Sequence, residues 1–188
     1  MKIHPVLLLL LAVLLTIPAV QAQSTPPAAP LVGEKAPPPP TDAQRAFELM
    51  KALAGNWEGK MPDGQTPHGV IRATSRGTAL LFELKTATDN PITMIHLDGD
   101  RIMLTHYCDA GNQPRMVGKL SADGKTVAFD FLDATNLQNS FQGHMHAMSF
   151  TPVDANHFTW DVVFHFEGKP PMKATVPFQR VSAETAER

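Results

Sequence analysis

Beyond Gly55 the chain adopts a two-residue hydrophobic period and keeps it almost to its end. The alternation is plain in Phe158, Trp160, Val162, Phe164 and Phe166, and again in Met172, Ala174, Val176 and Phe178. Side chains of an extended strand point to opposite faces in turn, so such runs are strands with one buried face. The pattern predicts strands over 56–61, 68–76, 79–87, 92–97, 101–108, 115–120, 127–132, 141–150, 158–167 and 172–181. Turn chemistry separates them, as in Pro62-Asp63-Gly64, Asp98-Gly99-Asp100, Asp123-Gly124 and Gly168-Lys169-Pro170-Pro171. Short strands joined by tight hairpins, with no long crossover, predict an all-β fold: an antiparallel up-and-down barrel of about 8–10 strands.

One short N-terminal helix precedes the strands. Thr41 with Gln44 three residues on matches a capping box. Ala43, Ala46, Phe47, Met50, Leu53 and Ala54 make an apolar stripe at helical spacing, and Gly55 suits the residue just past the end. A helix apolar on one side lies across a sheet or plugs a barrel's end.

The first 22 residues read differently. Lys2 precedes an apolar run from Val6 to Leu15, followed by Val20-Gln21-Ala22. That is the layout of a secretory signal peptide cut before Gln23, and the run is shorter than the roughly 20 apolar residues of a spanning helix. The expectation is an exported chain, periplasmic or extracellular, with no stable membrane insertion after cleavage. Residues 23–40 carry seven prolines and almost no large apolar side chain, which predicts a disordered linker. The barrel domain is expected over 41–181 and a disordered tail over 182–188.

Charge and cysteine content narrow the class. Losing Lys2 with the leader leaves 15 basic against 18 acidic residues, mixed in sign along the chain. Nucleic acid is not an expected partner. Cys108 is the only cysteine, so no internal disulfide exists and stability rests on core burial. Its alternation with apolar neighbours predicts a buried thiol rather than a nucleophile.

Gly55-Asn56-Trp57 stands at the junction of helix and first strand, and Arg180 near the end of the last. This arrangement resembles the calycins, the superfamily of lipocalins and fatty-acid-binding proteins, over roughly residues 41–181. The resemblance implies an arginine packed over a tryptophan to close the barrel's end, which makes Trp57 and Arg180 structural. It also implies a largely apolar small molecule as ligand. Two family features are absent from this sequence: the lipocalin T-D-x-x-Y motif, and a helical lid between the first two strands, where a short Pro-Gly turn stands instead. The chain resembles an exported bacterial member of the superfamily more than either named family.

Strand phase selects candidate site residues. Ile92, Met94 and His96 share one face; Ile102, Leu104, His106 and Cys108 another; His144, His146, Met148 and Phe150 a third. Taken as lumenal, these faces give a ligand site of Met94, His96, Leu104, His106, His144, His146 and Met148. Tyr107, Asn112, Gln113 and Arg115 crowd one hairpin end and are read as a pocket mouth. An equally weighted alternative is a loop satisfying its own backbone. His106, Cys108, His144 and His146 place borderline or soft ligands about 7 Å apart along their strands, so a lumenal transition metal or haem is the alternative to having no cofactor. His157 and His165 fall on the opposite face from Phe158, Trp160 and Phe164 and are read as outward.

No Walker, Rossmann, G-x-S-x-G, H-E-x-x-H or CxxC motif is present. The reading leans away from an enzyme. It favours a small-molecule-binding barrel, with a haem or metal protein, or a small enzyme using lumenal histidines, as the alternative.

Overall fold

The computed structural model describes residues 38–138 and 143–182. The expected leader, all but the last residues of the linker, the first residues of the 141–150 strand and nearly all of the expected tail lie outside them. One helix, α1 (Asp42–Ala52), leads into ten strands: β1 (Gly55–Gly59), β2 (His68–Thr74), β3 (Ala79–Lys85), β4 (Ile92–Asp98), β5 (Arg101–Tyr107), β6 (Gln113–Leu120), β7 (Val127–Thr135), β8 (His144–Asp154), β9 (His157–His165) and β10 (Met172–Val181). Every neighbouring pair is antiparallel and consecutive in sequence, and β1 pairs with β10 to close the barrel. This is the up-and-down all-β architecture that the alternation and hairpin turns predict. Among the described residues no helix is long and apolar enough to cross a membrane.

The helix forms where its caps say it should. The Thr41 side chain accepts from Gln44 N, and the Gln44 side chain accepts from Thr41 N at 2.8 Å. Its apolar stripe, Ala43, Ala46, Phe47, Met50 and Leu53, is buried. The stripe packs against the end of the barrel formed by β4 to β7. Burying side chains the size of Phe47, Met50 and Leu53 stabilises by about 1.5–3 kcal/mol each.

Aromatic rings fill the middle of the lumen. Trp57 meets Phe158 edge to face at 4.7 Å, Phe158 stacks on Phe178 at 4.8 Å, and Phe82 touches Phe150, Trp160 and Phe178. Gly118 makes room for this layer: a Cβ there would lie 2.6 Å from both Ile102 and Phe129. The barrel is therefore solid beneath the helix and through its centre. Space remains at the other end, where the turns between β1 and β2, β3 and β4, β5 and β6, and β9 and β10 gather.

Two irregularities matter for the site. In β8 the partners of Phe164 and Val163 are Met145 and Ala147, so His146 is an extra, bulged residue. The ladder between β7 and β8 runs only from Val127↔Phe150 to Asp130↔Ala147. Beyond Asp130 these two strands part.

Candidate functional site

The open end holds a cavity of about 310 Å³. Leu84, Met145, Trp160, Val162, Phe164 and Ala174 form its apolar walls, and Met61, Pro91 and Met172 continue them outward. These residues come from β3, β8, β9 and β10 and the adjoining turns, each from the inward phase of its strand. His106 and Cys108, inward on β5 and just beyond it, supply polar atoms. Asp89 and Asp109 also line the cavity, and among the described residues no lysine or arginine does.

His106 is nearly fully buried, and its Nδ1 lies 2.9 Å from the Thr93 hydroxyl. Burial pushes its pKa down from 6.5 to about 4, so the imidazole is neutral at physiological pH. With Thr93 on one nitrogen, the other is left to donate or accept. Burial is also the largest cause holding the Cys108 thiol above its ordinary value. Asp109 and Asp89 push the same way, against a backbone hydrogen bond with Ala110. The Trp160 Nε1 is buried and has no acceptor among the described residues. An orphaned donor of this kind costs roughly 1–3 kcal/mol unless something satisfies it.

Of the ligand residues chosen by strand phase, the structure places His106 at this cavity, with Cys108 beside it. Leu104 and Met148 are buried in the core and do not line the cavity. Met94 and His96 are corrected: Thr93 and Ile95 are the buried residues of β4, so Met94 and His96 lie on the outer face. Tyr107 is exposed. Arg115 forks onto Asp133 at the surface, with Nε donating at 2.6 Å. Gln113 donates to Gly111 O and accepts from Thr135, while buried Asn112 donates to Gly143 O at 3.0 Å. None of Tyr107, Asn112, Gln113 and Arg115 lines the cavity; the same hairpin end contributes Cys108, Asp109 and Ala110 to it instead.

His144 and His146 also leave the lumenal set, because neither lines the cavity that holds His106 and Cys108. The four expected metal ligands are thus split between two places. His144 and His146 instead join Phe131 and His165 in a cluster of rings where β7 and β8 part. The His144 pKa lies below the ordinary imidazole value, through burial first and then the nearby His146 and His165.

The residues missed from sequence, chiefly Leu84, Met145, Trp160, Val162, Phe164 and Ala174, did carry a signal. They are the inward-phase residues nearest the barrel end remote from the helix. Ordering strands by hairpin would have grouped them.

Fold and cavity together define a class: a closed antiparallel up-and-down barrel, stoppered by a helix at one end and hollow at the other. Among solved structures the chain is similar to Rv2717c from M. tuberculosis, at 15% identity and a TM-score of 0.52, over 72% of this chain and 97% of that one. It is also similar to a protein of unknown function from the DUF3598 family of Nostoc punctiforme, at 12% identity and a TM-score of 0.48, over 70% of this chain and 49% of that one. A third similarity is to EF1p2_mFAP2b bound to DFHBI, at 14% identity and a TM-score of 0.32, over 73% and 98% of the two chains. The likeness to Rv2717c is one of fold alone. No family model matches the sequence, and no curated protein matches it either.

Proposed function

We propose that this chain is an exported, non-enzymatic binding protein that holds one small, largely apolar molecule in the open end of its barrel. The ligand carries a hydrogen-bond acceptor and no negative charge. The observation that carries the reading is an apolar cavity of about 310 Å³ lined by Trp160, whose buried Nε1 has no hydrogen-bond partner among the described residues. Cavities near this size suit small ligands, with apolar walls for affinity and few polar groups for orientation. Asp89 and Asp109 at the cavity disfavour an anion. Export rests on the sequence of residues 1–22, and cleavage before Gln23 is checked by sequencing the N-terminus of the purified protein.

A matched pair of probes tests the site. 2-Acetylnaphthalene and 2-ethylnaphthalene differ at one carbonyl. Both are expected to bind at one equivalent, read by quenching of tryptophan fluorescence, and the ketone about tenfold tighter because it satisfies the indole donor. Trp160→Phe removes the preference, and Ala174→Trp, which fills the cavity, removes binding of both. Equal affinities for the two probes, or binding that survives Ala174→Trp, overturns the proposal.

A further inference from the structure

We propose that His144, His146 and His165 form a binding site for a divalent transition-metal ion at the seam between β7 and β8. The site is separate from the lumenal cavity and does not depend on what that cavity binds.

The backbone brings the three residues together. His144 and His165 are direct partners across β8 and β9. The bulge at His146 breaks the alternation, so the His144 and His146 rings approach one another instead of standing apart along the strand. Because β7 leaves the ladder after Asp130, no paired strand covers this stretch of β8 on that side. Phe131 backs the cluster, with its centroid 4.6 Å from His144 and 5.3 Å from His146.

The spacing is that of ligands sharing one ion. The ring centroids are 5.4, 5.6 and 5.3 Å apart, close to an equilateral triangle. Three imidazoles bound tetrahedrally at about 2.0–2.1 Å place their nitrogens roughly 3.3 Å apart and their centroids roughly 5 Å apart. His144 Nε2 and His146 Nδ1 already stand 3.2 Å apart. As the side chains lie, no three donors among the described residues converge on one point. The His165 centroid lies 5.6 and 5.3 Å from the other two, so binding requires its ring to turn about χ2, a torsion that is broad for imidazole.

Composition selects the ion. Three neutral imidazoles with no thiolate or carboxylate suit Zn²⁺, Ni²⁺ or Cu²⁺ and do not suit Mg²⁺ or Ca²⁺. His146 is exposed and His165 half-buried, so an ion reaches the site from solvent and keeps a position for water. The only hydrogen bond that any of the three rings makes among the described residues is the one between His144 and His146.

The test uses the full chain as purified, stripped of metal with a chelator. Calorimetric titration with Zn²⁺ is expected to show one ion per chain at micromolar affinity or tighter, and Co²⁺ to give the visible absorption of a tetrahedral site. His146→Ala and His165→Ala each weaken Zn²⁺ binding at least tenfold, whereas His106→Gln leaves it unchanged. Unaltered thermal unfolding of His146→Ala, an exposed position, shows that the loss is local. Should either variant misfold, imidazole NMR of the unmodified chain decides: Zn²⁺ must shift the three seam histidines together and leave His106 in place. Failure of the unmodified chain to bind one equivalent overturns the proposal, as does binding that persists in both variants or is lost with His106→Gln.

Discussion

The guanidinium of Arg180 sits 4.2 Å from the centre of the Trp57 ring and donates to Ala54 O at 2.7 Å and Ala155 O at 2.9 Å. Trp57 in turn donates its Nε1 to Leu53 O at 2.8 Å. Leu53 is the C-cap of the helix and Ala54 follows it, where carbonyls lack helical partners. Two barrel side chains thus cap the helix, and Arg180 also ties it to the β8–β9 turn. The planar fork makes the two bonds from separate nitrogens while lying over the indole, a geometry that a single ammonium nitrogen does not reproduce. Arg180→Met is expected to lower stability by about 2–4 kcal/mol, from the lost cation–π contact and charged hydrogen bonds. Arg180→Lys should recover less than half of that. Urea unfolding of the three proteins checks it, and a loss in Arg180→Met no larger than a typical surface substitution would refute the tie.

Gly55 lies directly beneath this contact. Its φ is +146°, and a Cβ added there would stand 2.1 Å from the Arg180 Nη1. Gly55→Ala is therefore strained in backbone and pushes the guanidinium off its acceptors. The expected loss is about 2 kcal/mol or more. Because part of it is the Arg180 contact, Gly55→Ala with Arg180→Met should cost less than the sum of the two. Strictly additive costs in a double-mutant cycle would show that the two residues act independently.

The barrel was legible in sequence because its signals are local: alternation, Asp-Gly turns and a capping box each act over a few residues. The site was less legible because it depends on phase, which is inherited from neighbours. The Asp98–Arg101 hairpin pairs Leu97 with Ile102, Ile95 with Leu104 and Thr93 with His106. Once Ile102, Leu104 and His106 face inward, hairpin register forces Thr93 and Ile95 inward and Met94 and His96 out. Reading β4 alone hid this, since both its faces carry apolar residues. The bulge at His146 is harder to foresee. No glycine or turn residue announces it, yet it decides where two imidazoles go.

Cys108 reports on the cavity. It is a free thiol lining the same space as Trp160, and burial and two aspartates hold it in its protonated form. Reaction with an anionic aromatic disulfide at pH 7.5 is expected to run at least about tenfold slower than with glutathione, because the thiolate is the nucleophile. Saturating 2-acetylnaphthalene should slow it further, and denaturant should restore the full rate. Protection that the ketone does not enhance would place the ligand elsewhere.

His106 makes the fold acid-sensitive in a defined window. Its pKa is about 4 in the folded chain against 6.5 for the ordinary side chain. Below 6.5 the unfolded chain takes up a proton that the folded chain refuses, so stability falls as pH drops from about 6.5 to about 4 and levels off below. The full difference is on the order of 3 kcal/mol. His144, also held below its ordinary value, adds a loss of the same sign. Asp123, Asp133 and Asp154 are held below theirs, so their contributions are lost only at more acid pH. Comparing two proteins isolates His106. Urea unfolding of the unmodified chain at pH 7 and pH 4.5 should show the larger drop. His106→Gln keeps a polar partner for Thr93 without a titrating ring, and should be less stable at pH 7 but lose clearly less on acidification. Equal losses in both proteins would mean that the buried imidazole is not what the acid attacks.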